Sequence, residues 1–176
     1  MKPAPTPAII TAPQPTRVLA RTRLFRQLDD AAAHTVLWVE GPAGAGKTTL
    51  VVSWLDARKM DCLWYQVDAG DMDLATFFHY LGLAVTQAAP RFRRPMPKLT
   101  PEYLAGIPTF TRNFFRELAR RLSKPCVLVF DNLQEVNAGA PLYEALCAGL
   151  SELPSHLRSI LIRRSKPSPI FARMQV

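Results

Sequence analysis

Cysteine is scarce in this sequence and is not arranged for chemistry. The 176 residues contain three cysteines, Cys62, Cys126 and Cys147, and no two of them form a C-x-x-C pair. An odd number at wide spacing fits neither a disulfide framework nor a zinc site. Cys62 and Cys126 stand at the starts of apolar segments, which is typical of buried cysteines that act as small hydrophobic residues. The sequence therefore predicts a reducing setting, and we expect the protein to be cytoplasmic.

Long hydrophobic runs are also missing. No apolar segment approaches the ~18 residues that a transmembrane helix requires. The N-terminus carries Lys2, but three prolines within residues 3–7 break up the apolar stretch that a secretory signal needs. The histidines are isolated and show no metal or triad spacing: His34, His79 and His156. We therefore expect neither a membrane partner nor a histidine-based active site.

The composition indicates one globular unit preceded by a short leader. Hydrophobic residues make up 48% of the chain, and 176 residues are enough for one domain with a substantial core. Residues 1–16 contain five prolines and little else of character. We therefore predict a proline-rich leader or linker over residues 1–16, outside the core, and a single folded domain over residues 17–176.

Basic residues are in excess, with a formal net charge of +8. Such a balance is compatible with a polyanionic partner. Most of the arginines are dispersed, however, and the local clusters at 91–94, 120–121 and 163–164 are short. The cluster at 91–94 lies in a proline-flanked loop between helices, so we expect it to be exposed. Since no recognised nucleic-acid-binding motif accompanies these clusters, DNA binding by this segment is not favoured.

One motif carries the clearest chemistry. Residues 41–48 match the phosphate-binding pattern G-x-x-x-x-G-K-[ST] without a mismatch. An apolar segment that reads as a strand precedes it, and a helical segment from Thr48 follows, as the motif requires. Lys47 is expected to reach the β- and γ-phosphates, and the Thr48 hydroxyl to hold Mg²⁺. The predicted nucleotide-binding residues of this loop are Gly41, Pro42, Ala43, Gly44, Ala45, Gly46, Lys47, Thr48 and Thr49.

Apolar runs alternate with helical patterns along the rest of the chain. Predicted strands lie at 36–39, 62–67, 126–130 and 159–162, and the main helices follow at 48–57, from 74, around 110–122 and at 141–150. Asp73 is placed to cap the helix that begins at 74. The run before Asp131 is continuously apolar, which is typical of a strand covered on both faces. This order predicts an α/β fold with a parallel sheet.

A second acidic residue completes the predicted nucleotide site. Asp131 directly follows the apolar run at 127–130. In nucleotide-binding proteins with this loop, the carboxylate that holds Mg²⁺ lies at such a strand end. Many related ATPases place a second acid directly after it to act on the attacking water, but this sequence has Asn132, which cannot take a proton. Glu135 lies nearby, and we interpret it as a solvated loop carboxylate. Binding of ATP or ADP with Mg²⁺ is therefore predicted, whereas hydrolysis is left open.

Taken together, these segments resemble the ATP-binding domain of the STAND class of P-loop NTPases. The stretches that carry the resemblance are 41–50, 130–136, 160–167 and 171–173, and the similar subgroup is the large maltose-regulator-like and LuxR-type transcriptional activators. The resemblance implies a three-layer α/β/α fold of the ASCE/AAA+ kind. It implies that the segment at 18–21, including Val18 and Arg21, lines the adenine pocket. It also implies that Arg164, after the fourth strand, senses the γ-phosphate and joins Lys47 and Asp131 as a catalytic residue.

The chain departs from that family in length. STAND proteins continue after this core with a fifth strand and further domains, whereas this chain stops at Val176. We therefore expect a C-terminally incomplete core whose P-loop strand is an exposed sheet edge, open to self-association or to a partner that completes the sheet. The favoured function is an ATP/ADP switch module of a transcriptional regulator, with slow ATP hydrolysis as an option. The alternatives are a small-molecule kinase, a DNA-handling ATPase and a non-catalytic remnant that acts by protein interaction.

Overall fold

A parallel four-stranded sheet forms the centre of the molecule. The computed structural model describes residues 7–14, 21–31, 34–137 and 139–164. The strands are β1 Val36–Glu40, β2 Cys62–Gln66, β3 Cys126–Asp131 and β4 Leu157–Arg163, in the spatial order β1-β4-β3-β2. All three neighbouring pairs run parallel, so the predicted parallel sheet is confirmed.

In the described ranges, five helices precede and connect these strands. They are α1 Thr22–Ala31, α2 Lys47–Ala57, α3 Leu74–Ala88, α4 Ile107–Arg121 and α5 Pro141–Leu150, with 3-10 turns at Ala8–Ile10, Ala69–Met72, Pro101–Gly106 and Leu133–Glu135. Asp73 caps α3 as predicted, because its carboxylate accepts from the backbone N–H groups of Ala75 and Thr76. None of the helices in the described ranges combines the length and the apolar character needed to cross a membrane.

Helices cover both faces of the sheet. The larger hydrophobic core joins α3, α4 and α5 to one face and includes fully buried Phe77, Phe114 and Leu146. The smaller core joins α1 and α2 to the other face and centres on Val51 and Trp54. The predicted three-layer α/β/α architecture is therefore confirmed.

The strand order determines which loops meet. Because the four described strands run parallel, their carboxyl ends lie at one edge of the sheet. There, β4 lies between β1 and β3. The phosphate-binding loop at 41–48, the P-loop, follows β1, and β3 ends at Asp131. Within the described ranges β1 is an outer strand, and its only strand neighbour there is β4.

Two segments differ from what the sequence predicts. Part of the leader belongs to the core, since Ile10, in the 3-10 turn Ala8–Ile10, is 8% exposed and packs beside β2 in the larger core. Two adjacent isoleucines within a proline-rich segment carry no periodicity that local sequence reasoning could detect. The loop at 91–94 is exposed as expected, but it is also anchored, because the buried Arg121 of α4 donates to the carbonyls of Arg94 and Pro95 at 2.8 and 3.1 Å.

The same loop brings an aromatic ring among cations. The guanidinium carbons of Arg91, Arg120 and Arg121 lie 4.9–5.4 Å from the centroid of the Phe92 ring, within cation–π range. Glu117 accepts hydrogen bonds from Arg120 and Arg121 at 2.7 Å each. This cluster is therefore partly neutralised and tied to α4, rather than being a set of freely solvated charges.

Candidate phosphate-binding site

The loop between β1 and α2 has the backbone of an anion cradle. Gly44 and Gly46 adopt φ values of 74° and 75°, a left-handed conformation that residues with a Cβ rarely adopt. Gly46 is the N-cap residue of α2 and provides no side-chain cap to the helix. The first N–H groups of α2 therefore remain available, together with the positive end of the helix dipole, for an anion.

Lys47 closes the loop from inside. Its Nζ donates to the carbonyl oxygens of Gly41 at 2.7 Å and Pro42 at 2.9 Å. These two bonds fold the lysine side chain over the loop that precedes it. The ammonium group is therefore held against the loop by neutral acceptors, and a phosphate oxygen is a stronger acceptor for such a group than a carbonyl.

Thr48 and Asp131 come from distant parts of the sequence and meet in the site. The Thr48 Oγ1 hydroxyl donates to Asp131 Oδ2 at 2.8 Å, although 83 residues separate them. The other carboxylate oxygen accepts from the backbone N–H of Asn132 at 2.8 Å. Burial raises the pKa of Asp131, and its hydrogen bonds with Thr48 and Asn132 and the charge of Lys47 act in the opposite direction. A buried carboxylate beside a hydroxyl is a donor set suited to Mg²⁺.

These groups line one open cleft of about 380 Å³. Its lining consists of Ala43, Gly44, Gly46, Lys47, Thr48, Thr49, Asp131, Asn132, Gln134 and Arg164. The three predicted catalytic residues, Lys47, Asp131 and Arg164, thus come together. A larger cavity of about 500 Å³ lies at the amino ends of β2 and β3 and is lined by Asp61, Arg91 and Lys124 among others. It lies at the opposite ends of these strands from the P-loop, so we place the site at the smaller cleft.

Arg164 is positioned by a chain of polar contacts that the sequence does not reveal. Its Nη2 lies 3.6 Å from Glu135 Oε1. Gln134 Nε2 donates to the side-chain oxygens of Glu135 at 3.3 Å and Asn132 at 3.2 Å. The interpretation of Glu135 as a solvated loop carboxylate is therefore incomplete, because this half-exposed group forms an ion pair with a residue of the cleft.

Tyr143 of α5 holds the turn that carries Glu135. Its buried hydroxyl donates to the carbonyl of Leu133 at 2.6 Å and contacts that of Val136 at 3.3 Å. The guanidinium of Arg163 lies 5.9 Å from the centroid of the Tyr143 ring. The sequence signal for this anchor is a tyrosine within the apolar pattern of α5, since a buried tyrosine hydroxyl requires a partner.

The remaining predicted contacts are only partly described. Arg21 donates from Nη1 to the carbonyl of Ala45 at 3.0 Å, and a Cβ added at Gly46 would meet Arg21 Nη2 at 3.3 Å. Arg21 therefore contacts the P-loop backbone at Ala45 and lies beside Gly46. Val18 and the segment after Arg164 lie outside the described residues, so the predicted adenine pocket stays a prediction.

The fold and the site together define a P-loop NTPase domain. The family model described as nephrocystin 3, N-terminal, matches residues 16–164, and the chain belongs to that family. Among solved structures, the Walker-type ATPase PABY2304 of Pyrococcus abyssi superposes with a TM-score of 0.53 at 15% identity. That superposition covers 86% of this chain and 47% of the other and supports the fold.

Curated relatives confirm the regulator-like resemblance. The chain is 29% identical to the HTH-type transcriptional regulator MalT of Cronobacter sakazakii over 159 residues. The corresponding identities are 28% for MalT of Klebsiella pneumoniae and 27% for MalT of Vibrio cholerae. Each match covers 90% of this chain and 17% of the relative, so the chain spans about a sixth of the length of these proteins.

Proposed function

We propose that this domain binds ATP and ADP with Mg²⁺ and acts as the nucleotide switch of a MalT-like transcriptional regulator. The observation that carries the proposal is the Thr48–Asp131 contact of 2.8 Å beside an uncapped α2 and the Lys47 ammonium. This arrangement provides a phosphate cradle and an oxygen pair for the metal within one cleft.

Each group in the cleft would have a distinct role with the nucleotide. The loop amides and Lys47 would hold the phosphate oxygens, and Thr48 and Asp131 would hold Mg²⁺, which neutralises phosphate charge. Arg164 would contact the terminal phosphate from the end of β4. A change between triphosphate and diphosphate would thereby alter contacts at the ends of β3 and β4, which supports a switch.

Hydrolysis, where it occurs, would be slow. Among the described residues that line the cleft, Asp131 is the only carboxylate, and it accepts a hydrogen bond from Thr48. Asn132 lines the cleft next to it but cannot accept a proton from water. This favours a binding switch over a rapid catalyst. A cytoplasmic location and a partner at the β1 edge remain predictions.

Titration with a fluorescent ATP analogue in the presence of Mg²⁺ tests the proposal. We expect saturable micromolar binding by the wild-type chain and loss of at least tenfold in affinity for Lys47→Ala, because the phosphates lose a cation. Lys98→Ala is the matched control, since this exposed lysine lies outside the cleft lining. Equal binding by Lys47→Ala, or no binding by folded wild-type protein, would refute the proposal.

A further inference from the structure

Arg164 has a competing partner in the structure. It lies directly after β4, where it lines the cleft with Lys47 and Thr48. Its guanidinium is also 3.6 Å from the Glu135 carboxylate, which is outside that lining. The guanidinium of Arg164 thus lines the cleft and at the same time pairs with the Glu135 carboxylate beside it.

The ion pair is loose enough for a phosphate to replace. The side chains of Arg164 and Glu135 are 55% and 44% exposed, and 3.6 Å is longer than a charge-assisted hydrogen bond. Exposed pairs of this kind change an equilibrium by about fivefold or less. A terminal phosphate group offers more negative charge and more acceptor oxygens to arginine than a carboxylate does.

Glu135 cannot readily follow Arg164 into the cleft. Its backbone belongs to the 3-10 turn Leu133–Glu135, which Tyr143 holds through the carbonyls of Leu133 and Val136. Its carboxylate also accepts from Gln134 Nε2 at 3.3 Å. The turn therefore restrains the backbone of Glu135, and we assign the change of partner to the longer Arg164 side chain.

We propose that Glu135 is a specificity-determining residue that holds Arg164 in the phosphate-free site and lowers the preference for ATP over ADP. The inference rests on the proposed nucleotide-binding function. ATP must exchange the Arg164–Glu135 contact for an Arg164–phosphate contact, whereas ADP leaves the ion pair in place. The competition thus sets how strongly a terminal phosphate changes the contacts of β4.

The test compares Glu135→Gln with the wild-type chain, using ribose-labelled fluorescent ATP and ADP with Mg²⁺. The substitution preserves the size of the side chain and removes its charge. We expect affinity for the ATP analogue to rise two- to fivefold, or ~0.4–1 kcal/mol at about 1.4 kcal/mol per tenfold, with affinity for the ADP analogue unchanged. Glu102→Gln removes a carboxylate from an exposed turn outside the cleft lining and should change neither affinity.

A double-mutant cycle with Arg164→Ala separates competition from general repulsion. In that background Glu135→Gln should not change the ratio of ATP to ADP affinity, because the competing guanidinium is absent. Equal gains for both nucleotides, a gain that persists without Arg164, or a loss of ATP affinity would each overturn the inference. If binding depends on Lys47 but Glu135→Gln behaves as wild type, the inference fails alone. If the folded wild-type chain binds neither nucleotide, the proposed function fails with it.

Discussion

Gly149 of α5 provides a sharp test of the packing that supports the site. A Cβ built on this glycine would lie 2.3 Å from Phe115 Cδ2 and 2.4 Å from Phe115 Cε2. The optimal van der Waals separation of two carbon atoms is ~3.5–4.0 Å, so the added Cβ would be more than about 1 Å too close. Phe115 is fully buried on α4 and its ring packs edge-on against that of Phe114, so a displacement of the ring would have to move its neighbours as well. Gly149→Ala should therefore force α4 and α5 apart.

Two effects of opposite sign decide the magnitude. Replacing glycine by alanine inside a helix stabilises it by about 0.8–1.0 kcal/mol. Overpacking a filled core costs about 1–3 kcal/mol, and the size of this overlap places Gly149→Ala at the upper end. The net expectation is a loss of about 2 kcal/mol in the free energy of unfolding, and for a chain of this size the melting temperature should fall by roughly 4–8 °C.

Urea and thermal unfolding followed by circular dichroism measure the effect. Gly139→Ala is the control, because a Cβ there meets nothing within 4 Å and should be nearly neutral. In a Phe115→Ala background, Gly149→Ala should become stabilising by about 1 kcal/mol, since only the helix propensity remains. Wild-type or higher stability for Gly149→Ala alone would refute the close approach of the two helices.

Three further substitutions test other parts of the structure. Interactions with two arginines lower the pKa of Glu117 from 4.5 to about 2, so its ionised form stabilises the fold above pH 4.5 and that contribution is lost as the pH falls towards 2. Glu117→Gln should therefore lower the free energy of unfolding by about 1–3 kcal/mol at pH 7, largely because the buried Arg121 loses a charged partner. In urea titrations between pH 7 and 2, the variant should also lose less stability on acidification than the wild-type chain. Tyr143→Phe should cost about 1–3 kcal/mol in the same assay, because buried carbonyls lose their donor, and stability equal to wild type would contradict that hydrogen bond. Asp131→Asn should abolish the Mg²⁺ dependence of nucleotide affinity measured by titration with and without chelator, whereas Lys47→Ala should weaken binding in both conditions; a retained Mg²⁺ response would argue against Asp131 at the metal.

The elements of the fold could be predicted because each carries a local pattern. Buried parallel strands read as continuous apolar runs, and the stretch at 126–130 lies within β3 Cys126–Asp131. The helix predicted at 141–150 has the same bounds as α5 Pro141–Leu150, where proline marks the first turn. Asp73 was identifiable as a cap because it directly precedes an apolar helical repeat.

What sequence reasoning missed depends on contacts between distant segments. Ile10 fills space beside β2, and Arg121 anchors a loop 26 and 27 residues away through main-chain carbonyls. Neither contact leaves a periodic signal. Ile10 lies outside any helical or strand repeat, and the backbone carbonyls that Arg121 contacts are present at every position. The sequence does not reveal the Arg164–Glu135 pair either, because only the pairing of β3 with β4 brings the two side chains together.

Asn132 has a second role that the sequence does not reveal. As the position after Asp131, it reads from the sequence as a missing proton acceptor. In the structure its φ is 63°, a left-handed conformation that asparagine tolerates better than most residues. That conformation turns its N–H onto Asp131 Oδ1 at 2.8 Å, while Asp131 Oδ2 accepts from Thr48. Asn132 therefore orients the Asp131 carboxylate through its backbone N–H, while its side-chain oxygen accepts from Gln134. Gln134 in turn donates to Glu135, which pairs with Arg164. The left-handed conformation of Asn132 thus connects the predicted metal site at Asp131 to the predicted phosphate sensor Arg164.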